Sequence, residues 1–339
     1  MRTDRGIGPR DPGAKRMNHI NTTLDNLKIG AQTTYAGLTT FALSGASRSS
    51  VDYLTLDEAL NEKFVSIEEV SSSGSVPELL FRNRADKPVL LLDGEELVGA
   101  KQNRVLNLSI LAPANAGIVI PVSCVESGRW TYSRPDFMSS GRAHFSKGRA
   151  RKVAQVSQSL NDSGTYRSNQ ADVWQSISQK SARMSVNSAT SAMSDIYDRH
   201  DVDIESYVEA FGTTSTQAGA VFAIGGRIAG CELFDTPEQF RKLYPKLIRS
   251  YALDAMEQRD TTATASIESA QGFLRELVTA EKTGFKAIGL GSDVRIRDEH
   301  LTGAALTVDD DLIHLCAFRL EKEPYMGSRP SRLHRRGRH

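Results

Sequence analysis

The chain has 339 residues, with 42 Lys and Arg against 41 Asp and Glu. That is room for one large domain or two ordinary ones around a sizeable core, and the charge balance calls for neither nucleic acid nor an anionic membrane as partner. No apolar run approaches the ~20 residues that cross a bilayer, no apolar leader opens the sequence, and Cys124, Cys231 and Cys316 match neither a disulfide framework nor a zinc pattern, as expected for a reducing cytoplasm.

The two ends differ from the middle. Residues 1–16 carry Arg2, Arg5, Arg10, Lys15 and Arg16, and residues 327–339 carry Arg329, Arg332, Arg335, Arg336 and Arg338. Both stretches lack apolar periodicity and are expected to be disordered basic tails, the one place where contact with nucleic acid stays open. Residues 17–326 read as an α+β domain, mostly antiparallel sheets packed with several helices, with possible related halves at 17–165 and 166–326.

Residues 24–43 mix β-branched and aromatic side chains and predict an early strand. Thr55 and Glu58 predict a capped helix over 55–60. Strands are expected at 63–70, 88–92, 97–111 and 118–125, with a turn at Asp93-Gly94 and a loop at 113–117. The Ser-rich, basic stretch 133–165 predicts a mobile loop with a short helix. Ser168 is expected to cap a helix through Val173, Trp174 and Ile177, and a second helix at 204–211 stops at Gly212. Strands at 218–224 and 228–234 flank Gly225-Gly226. Thr236-Pro237 starts a helix in which Pro245 predicts a kink or restart. A strand at 294–296 and a hairpin, 304–308 against 312–318 across Asp309-Asp310-Asp311, close the chain. Residues 92–99 echo 224–230, through either an old duplication or two convergent hairpins.

The densest polar text is Glu95, Glu96, Lys101, Gln102, Asn103, Arg104 and Asn107, and a second block, Glu126, Ser127, Gly128, Arg129 and Trp130, follows the next strand. Side chains alternate along strands, so Arg104 continues the face of Leu106, Leu108 and Ile110, and Glu126 continues that of Val122 and Cys124. Paired antiparallel, the two strands would set Arg104 opposite Glu126, or nearly so. Charge on an apolar face is costly unless paired, which points to a site. Arg104, Lys101 and Arg129 suit phosphate and Trp130 suits a planar base. Glu126 or Glu96 becomes a general base if burial raises its pKa, and Glu95, Gln102 and Asn107 complete a polar lining. The plainer alternative is solvated turns around an edge Trp. Cys124 reads as a small buried hydrophobe. The histidines and cysteines form no ligand pair, so no metal centre is expected. Gly289-Leu290-Gly291 lacks the helix of a phosphate loop, and no motif names a cofactor.

Leu92-Asp93-Gly94-Glu95-Glu96-Leu97-Val98-Gly99-Ala100-Lys101-Gln102-Asn103-Arg104-Val105-Leu106-Asn107 and Ile120-Pro121-Val122-Ser123-Cys124-Val125-Glu126-Ser127-Gly128-Arg129-Trp130 resemble the ARG and Rhodanese-Phosphatase-superfamily-associated Protein domain. Weaker similarity at 170–174, 219–234 and 289–318 extends it across 24–320. The association with ADP-ribosylglycohydrolases and rhodanese-like phosphatases implies a role near ADP-ribose or phosphate-ester metabolism. The resemblance brings no catalytic residue set, and its polar positions here are Glu95, Glu96, Lys101, Gln102, Arg104, Asn107, Glu126, Arg129 and Trp130. Two functions are compatible with it. One is binding, with hydrolysis or transfer, of a phosphorylated nucleotide-type ligand such as ADP-ribose or a derivative. The other is a non-catalytic ligand-binding or adaptor domain beside a partner ADP-ribose-processing or phosphatase enzyme.

Overall fold

Three sheets and eight helices organise residues 12–46, 49–71, 77–258 and 261–320, the parts that the computed structural model describes. Residues 1–11 and 327–339, most of the expected tails, lie outside the described residues; α1 begins inside the stretch 1–16, at Pro12. The chain opens with α1 (Pro12–Asp25), β1 (Lys28–Tyr35), β2 (Leu38–Ser44), β3 (Leu54–Thr55) and α2 (Leu56–Asn61). Next come β4 (Val65–Glu69), β5 (Glu78–Asn83), β6 (Val89–Leu91), β7 (Glu95–Gly99), β8 (Arg104–Leu106), β9 (Ile110–Ala112), β10 (Ala116–Cys124) and β11 (Phe137–Ala143). Four helices follow: α3 (Ser146–Ser163), α4 (Gln170–Arg183), α5 (Met193–Arg199) and α6 (Asp201–Ala210). The last part holds β12 (Gly219–Ile224), β13 (Arg227–Phe234), α7 (Pro237–Ala255), α8 (Ile267–Thr279), β14 (Glu281–Lys286), β15 (Ser292–Arg297), β16 (Leu301–Val308) and β17 (Asp311–Arg319). The fold is α+β.

The largest sheet has eight antiparallel strands in the order β1-β2-β12-β13-β17-β16-β15-β14. One face packs Phe222, Phe234 and Phe318 against Phe240, Leu247 and Tyr251 of α7. The other packs Phe41, Leu233 and Leu315 against Ile20 and Leu24 of α1 and Phe273 and Leu277 of α8. Both faces are covered, so β12 is buried at every position and shows no alternation. β1 and β2, from the first part of the chain, complete this sheet beside β12.

The second sheet runs β11-β7-β8-β10-β5-β4. Its edge strands β4 and β11 lie against each other, so it curls around an apolar interior that includes Ile67, Phe81, Leu97, Leu106, Ile120, Val122 and Phe137. A small third sheet, β3-β6-β9, lies beside it. β6 and β7, which flank the Asp93-Gly94 turn, lie in different sheets, whereas β12 and β13, which flank Gly225-Gly226, pair directly.

Local signals set many of these elements. The Thr55 hydroxyl accepts the Glu58 N–H (3.3 Å) and the Glu58 carboxylate accepts the Thr55 N–H (2.8 Å), the reciprocal cap expected for α2. Thr236 caps α7, with Pro237 in its first turn, and the helix runs unbroken through Pro245. Asp309 and Asp310 take positive φ (49° and 73°) in the tight turn between β16 and β17. Four expectations are corrected. The early strand is the end of α1 followed by a hairpin turning at Ala36-Gly37. The strand expected at 97–111 is three strands, β7, β8 and β9, the last in a different sheet. α4 is capped by Asn169 rather than Ser168. The expected loop at 133–165 holds β11 and the eighteen-residue α3.

The last correction has an electrostatic cause. α3 buries Arg149 and Lys152 beside Val153, Val156 and Leu160, so its inward stripe does not read as apolar. Arg149 forks onto Glu232 of β13 (2.6 and 3.3 Å) and reaches Asp93 (3.1 Å), and Lys152 binds Asp93 at 2.5 Å. Burial disfavours the Asp93 charge, but Lys152 and Arg149 outweigh it and hold its pKa below the ordinary value. Gly94 fits beneath: its φ is +78°, and a Cβ there would meet the Arg149 Cδ at 2.8 Å.

Candidate functional site

The interior of the curled sheet turns polar at one end. On β8 and β10 the face that carries Leu106 and Val122 continues to Arg104 and Cys124, which lie directly opposite each other. The pairing is antiparallel as expected, but Arg104 faces Cys124 instead of Glu126. Glu126 lies beyond the end of β10, where its backbone bridges to Ala192. From β4, Val65 and Ile67 lead by the same alternation to Glu69, whose carboxylate comes within 3.8 Å of Arg104 Nη2.

Arg104 is fully buried. Its Nη1 donates to the Gln102 backbone oxygen (3.3 Å) and side-chain oxygen (3.1 Å), while Nε and Nη2 have no acceptor. Both Glu69 oxygens also lack a hydrogen-bond partner, and so does the Trp174 indole N–H from α4. Burial lowers the Arg104 pKa, and Cys124 and Glu69 partly offset it. Burial likewise raises the Cys124 thiol, whose Sγ donates to Gln102 Oε1 (3.1 Å) and the Glu126 backbone oxygen (3.2 Å). Above the guanidinium lies Trp130, 47% exposed, with its ring centre 6.0 Å from Arg104 Cζ. Lys101 Nζ sits between the Trp130 and Tyr132 rings, 5.3 Å from each centre.

The remaining candidates divide by their partners. Arg129 donates from all three nitrogens: to both Glu126 oxygens (2.9 and 2.7 Å), Asn103 Oδ1 (3.1 Å) and the backbone oxygens of Ala100 (2.6 Å), Thr131 (2.9 Å) and Gly99 (3.3 Å). Glu126 also accepts the Asn103 N–H at 3.0 Å. Burial opposes its charge, but Arg129 and that N–H outweigh it and lower its pKa. Asn107 donates to the Tyr166 backbone oxygen (3.0 Å) and accepts from Ser123 (2.5 Å), which binds it into the framework. Glu95 is ion-paired with the buried Lys246, which also meets Asp57 at 2.9 Å; burial still raises the Glu95 pKa.

Glu96 is the exception among the carboxylates. It pairs with Val105 on the opposite face of the β7–β8 hairpin from Leu97 and Arg104. It is fully buried and neither oxygen has a hydrogen-bond partner. Burial pushes its pKa up to about 7, only partly offset by the Ser140 and Arg142 side chains.

Lys101, Gln102, Arg104 and Trp130 thus meet at one place, with Glu126 and Arg129 fastening the loop beside them. Asn107, Glu95 and Glu96 lie apart from it. Glu69 and Trp174 were missed; the run Val65, Ile67, Glu69, a charge ending an apolar strand face, was the available signal for the first. A cavity of about 580 Å3 lies elsewhere, lined by Phe145, Lys147, Arg151, Ser176, Gln179 and others. Among the described residues no cluster of His, Cys, Asp and Glu could hold a metal ion, and no helix is long and apolar enough to cross a membrane.

An α+β chain with a polar end on a curled antiparallel sheet, built from the 92–107 and 120–130 blocks, defines a domain class by its motifs. Residues 26–318 match the family model of the ARG and Rhodanese-Phosphatase-superfamily-associated Protein domain, ARPP-1, and the chain belongs to that family. No curated protein and no solved structure matched the chain.

Proposed function

We propose that the polar end of the six-stranded sheet binds a phosphorylated nucleotide-type ligand, ADP-ribose or a derivative. The observation that carries this reading is Arg104, a buried guanidinium with two nitrogens lacking acceptors. Glu69, 3.8 Å from Nη2, offsets the charge but accepts no hydrogen bond from it; buried donors left without acceptors are unfavourable, and a guanidinium edge matches the oxygens of a phosphate. Trp130 supplies the aromatic face on which a base stacks. It also covers Arg104, so binding goes with displacement of Trp130, which sits in an irregular segment between β10 and β11. The family's association with ADP-ribose and phosphatase enzymes supports the ligand class by analogy.

The second reading, a non-catalytic binding or adaptor domain beside a partner ADP-ribose-processing or phosphatase enzyme, draws support from Glu126. A carboxylate committed to Arg129 and an N–H is poorly placed to take a proton. Glu96, with its pKa near neutrality, faces away from Arg104. At this place binding is therefore better supported than turnover. Calorimetry with ADP-ribose, its phosphates and NAD tests the reading. Arg104→Ala should weaken binding by about 2–4 kcal/mol. Absence of binding by any of these ligands removes the proposal, and unchanged affinity in a folded Arg104→Ala protein moves the site elsewhere.

A further inference from the structure

A second constellation lies where the eight-stranded sheet meets the start of β9, and it shares no residue with the polar end around Arg104. Ser109 is half-buried. Its Oγ lies 2.8 Å from Nδ1 of His314 on β17, and His314 Nε2 lies 3.1 Å from Glu232 Oε2 on β13. A hydroxyl within hydrogen-bond reach of an imidazole, itself oriented by a third group, is the arrangement that activates a nucleophile.

The surrounding hydrogen bonds assign the protons. Ser109 Oγ already accepts the Asp93 N–H (2.9 Å), which leaves its own hydrogen for His314. With Nδ1 as acceptor, the neutral ring keeps its proton on Nε2, directed at Glu232. Glu232 is held by the Arg149 fork and accepts the Tyr251 hydroxyl at 3.3 Å. His314 is also fixed by Phe234, with ring centres 4.5 Å apart. His314 and Glu232 are buried, so of the three groups Ser109 is the one that reaches toward solvent.

We propose that Ser109, His314 and Glu232 form a catalytic site that transfers the acyl group of a carboxylic ester. Ser109 Oγ bonds to the acyl carbon as its proton passes to His314 Nδ1. The bond from that carbon to the leaving alcohol oxygen breaks, and the alcohol departs with the proton. Water then attacks the acyl-serine, gives a proton to Nδ1, and the proton returns to Oγ as the carboxylic acid leaves. Glu232 stabilises the imidazolium that exists between these transfers and holds the ring, as the carboxylate does in serine hydrolases. Arg149 keeps Glu232 in place and acts as a positioning residue.

An alkyl fluorophosphonate tests this on the full chain. The reaction releases fluoride as Oγ bonds to phosphorus, and its proton goes to His314. The expected result, read by peptide mass spectrometry, is one adduct per chain on Ser109. It is absent in Ser109→Ala and forms at least roughly a hundredfold more slowly in His314→Gln, the usual share of a general base. Should His314→Gln fail to fold, the wild-type rate is read against pH: a rise through one ionisation to a plateau supports the relay. A rate that climbs in proportion to hydroxide overturns it. No adduct on Ser109 in folded protein, or equal rates in wild type and folded His314→Gln, also overturns it. Neither outcome bears on ligand binding at Arg104, which calorimetry reads separately.

Discussion

Glu96→Gln should make the protein more stable at alkaline pH and leave it nearly unchanged at acidic pH. The Glu96 carboxyl titrates at about 7 in the folded chain, against an ordinary 4.5. A raised carboxyl pKa means that the folded state holds its proton longer than the unfolded state does. The penalty is therefore absent below about pH 4.5, grows as the unfolded chain ionises, and is complete above about pH 7. At about 1.4 kcal/mol per pH unit, a gap of roughly 2.5 amounts to about 3–4 kcal/mol. Arg142 and Ser140 lower this pKa and Asp198 and Glu126 raise it, so the penalty is a net figure for the whole surround.

The assay is urea denaturation of both proteins at steps from pH 4.5 to 8.5, reading the difference in unfolding free energy. Other raised groups, such as Asp235 at about 6, are common to both proteins and cancel in that difference. Loss of packing through the amide is a constant offset, so the slope carries the information. A difference that stays flat across the range, or that falls with pH, refutes an unpaired buried Glu96.

Two further outcomes follow from the hydrogen bonds. Asn107→Ala should destabilise by about 1–3 kcal/mol, because the Tyr166 oxygen and the Ser123 hydroxyl lose their partner, yet leave calorimetric affinity for ADP-ribose unchanged; a loss of affinity with stability intact would restore Asn107 to the ligand site. Cys124, Cys231 and Cys316 are all buried free thiols, with pKa values raised by burial, so a thiol reagent at pH 8 should modify none in native protein and all three in denaturant. Rapid native modification of Cys124 would show that the cover over the polar end opens readily.

What was legible in the sequence was what is decided locally. The Thr55–Glu58 cap, the Thr236-Pro237 start and the Gly225-Gly226 and Asp309-Asp310 turns involve neighbours a few residues apart, and each formed where its residues stood. α3 was illegible because its buried face is charged, and the partners that make this tolerable, Asp93 and Glu232, come from distant strands. The face of Arg104 was legible from alternation. Its register was not, because the strand assumed to continue from β7 to β9 breaks twice. Nor could the fate of Arg129 and Asn107 be read, since a polar residue's role depends on whether the fold satisfies its donors, and those partners are set by tertiary contacts.

That dependence separates two arginines of one motif. Arg129 makes six hydrogen bonds: three to Gly99, Ala100 and Asn103 of the β7–β8 hairpin and its turn, two to the Glu126 carboxylate and one to the Thr131 backbone oxygen of its own loop. Arg104 uses one nitrogen and leaves two without acceptors. An arginine with every donor occupied gains nothing further from a phosphate, because a new bond must replace an existing one. Arg104 has no such exchange to make. The two are also mechanically linked. Trp130 follows Arg129 directly, so the Glu126–Arg129 pair fixes where the Trp130 ring begins its path over Arg104. Glu126 then anchors the base of the Trp130 cover through Arg129, which accounts for a buried carboxylate at this position without asking it to move a proton.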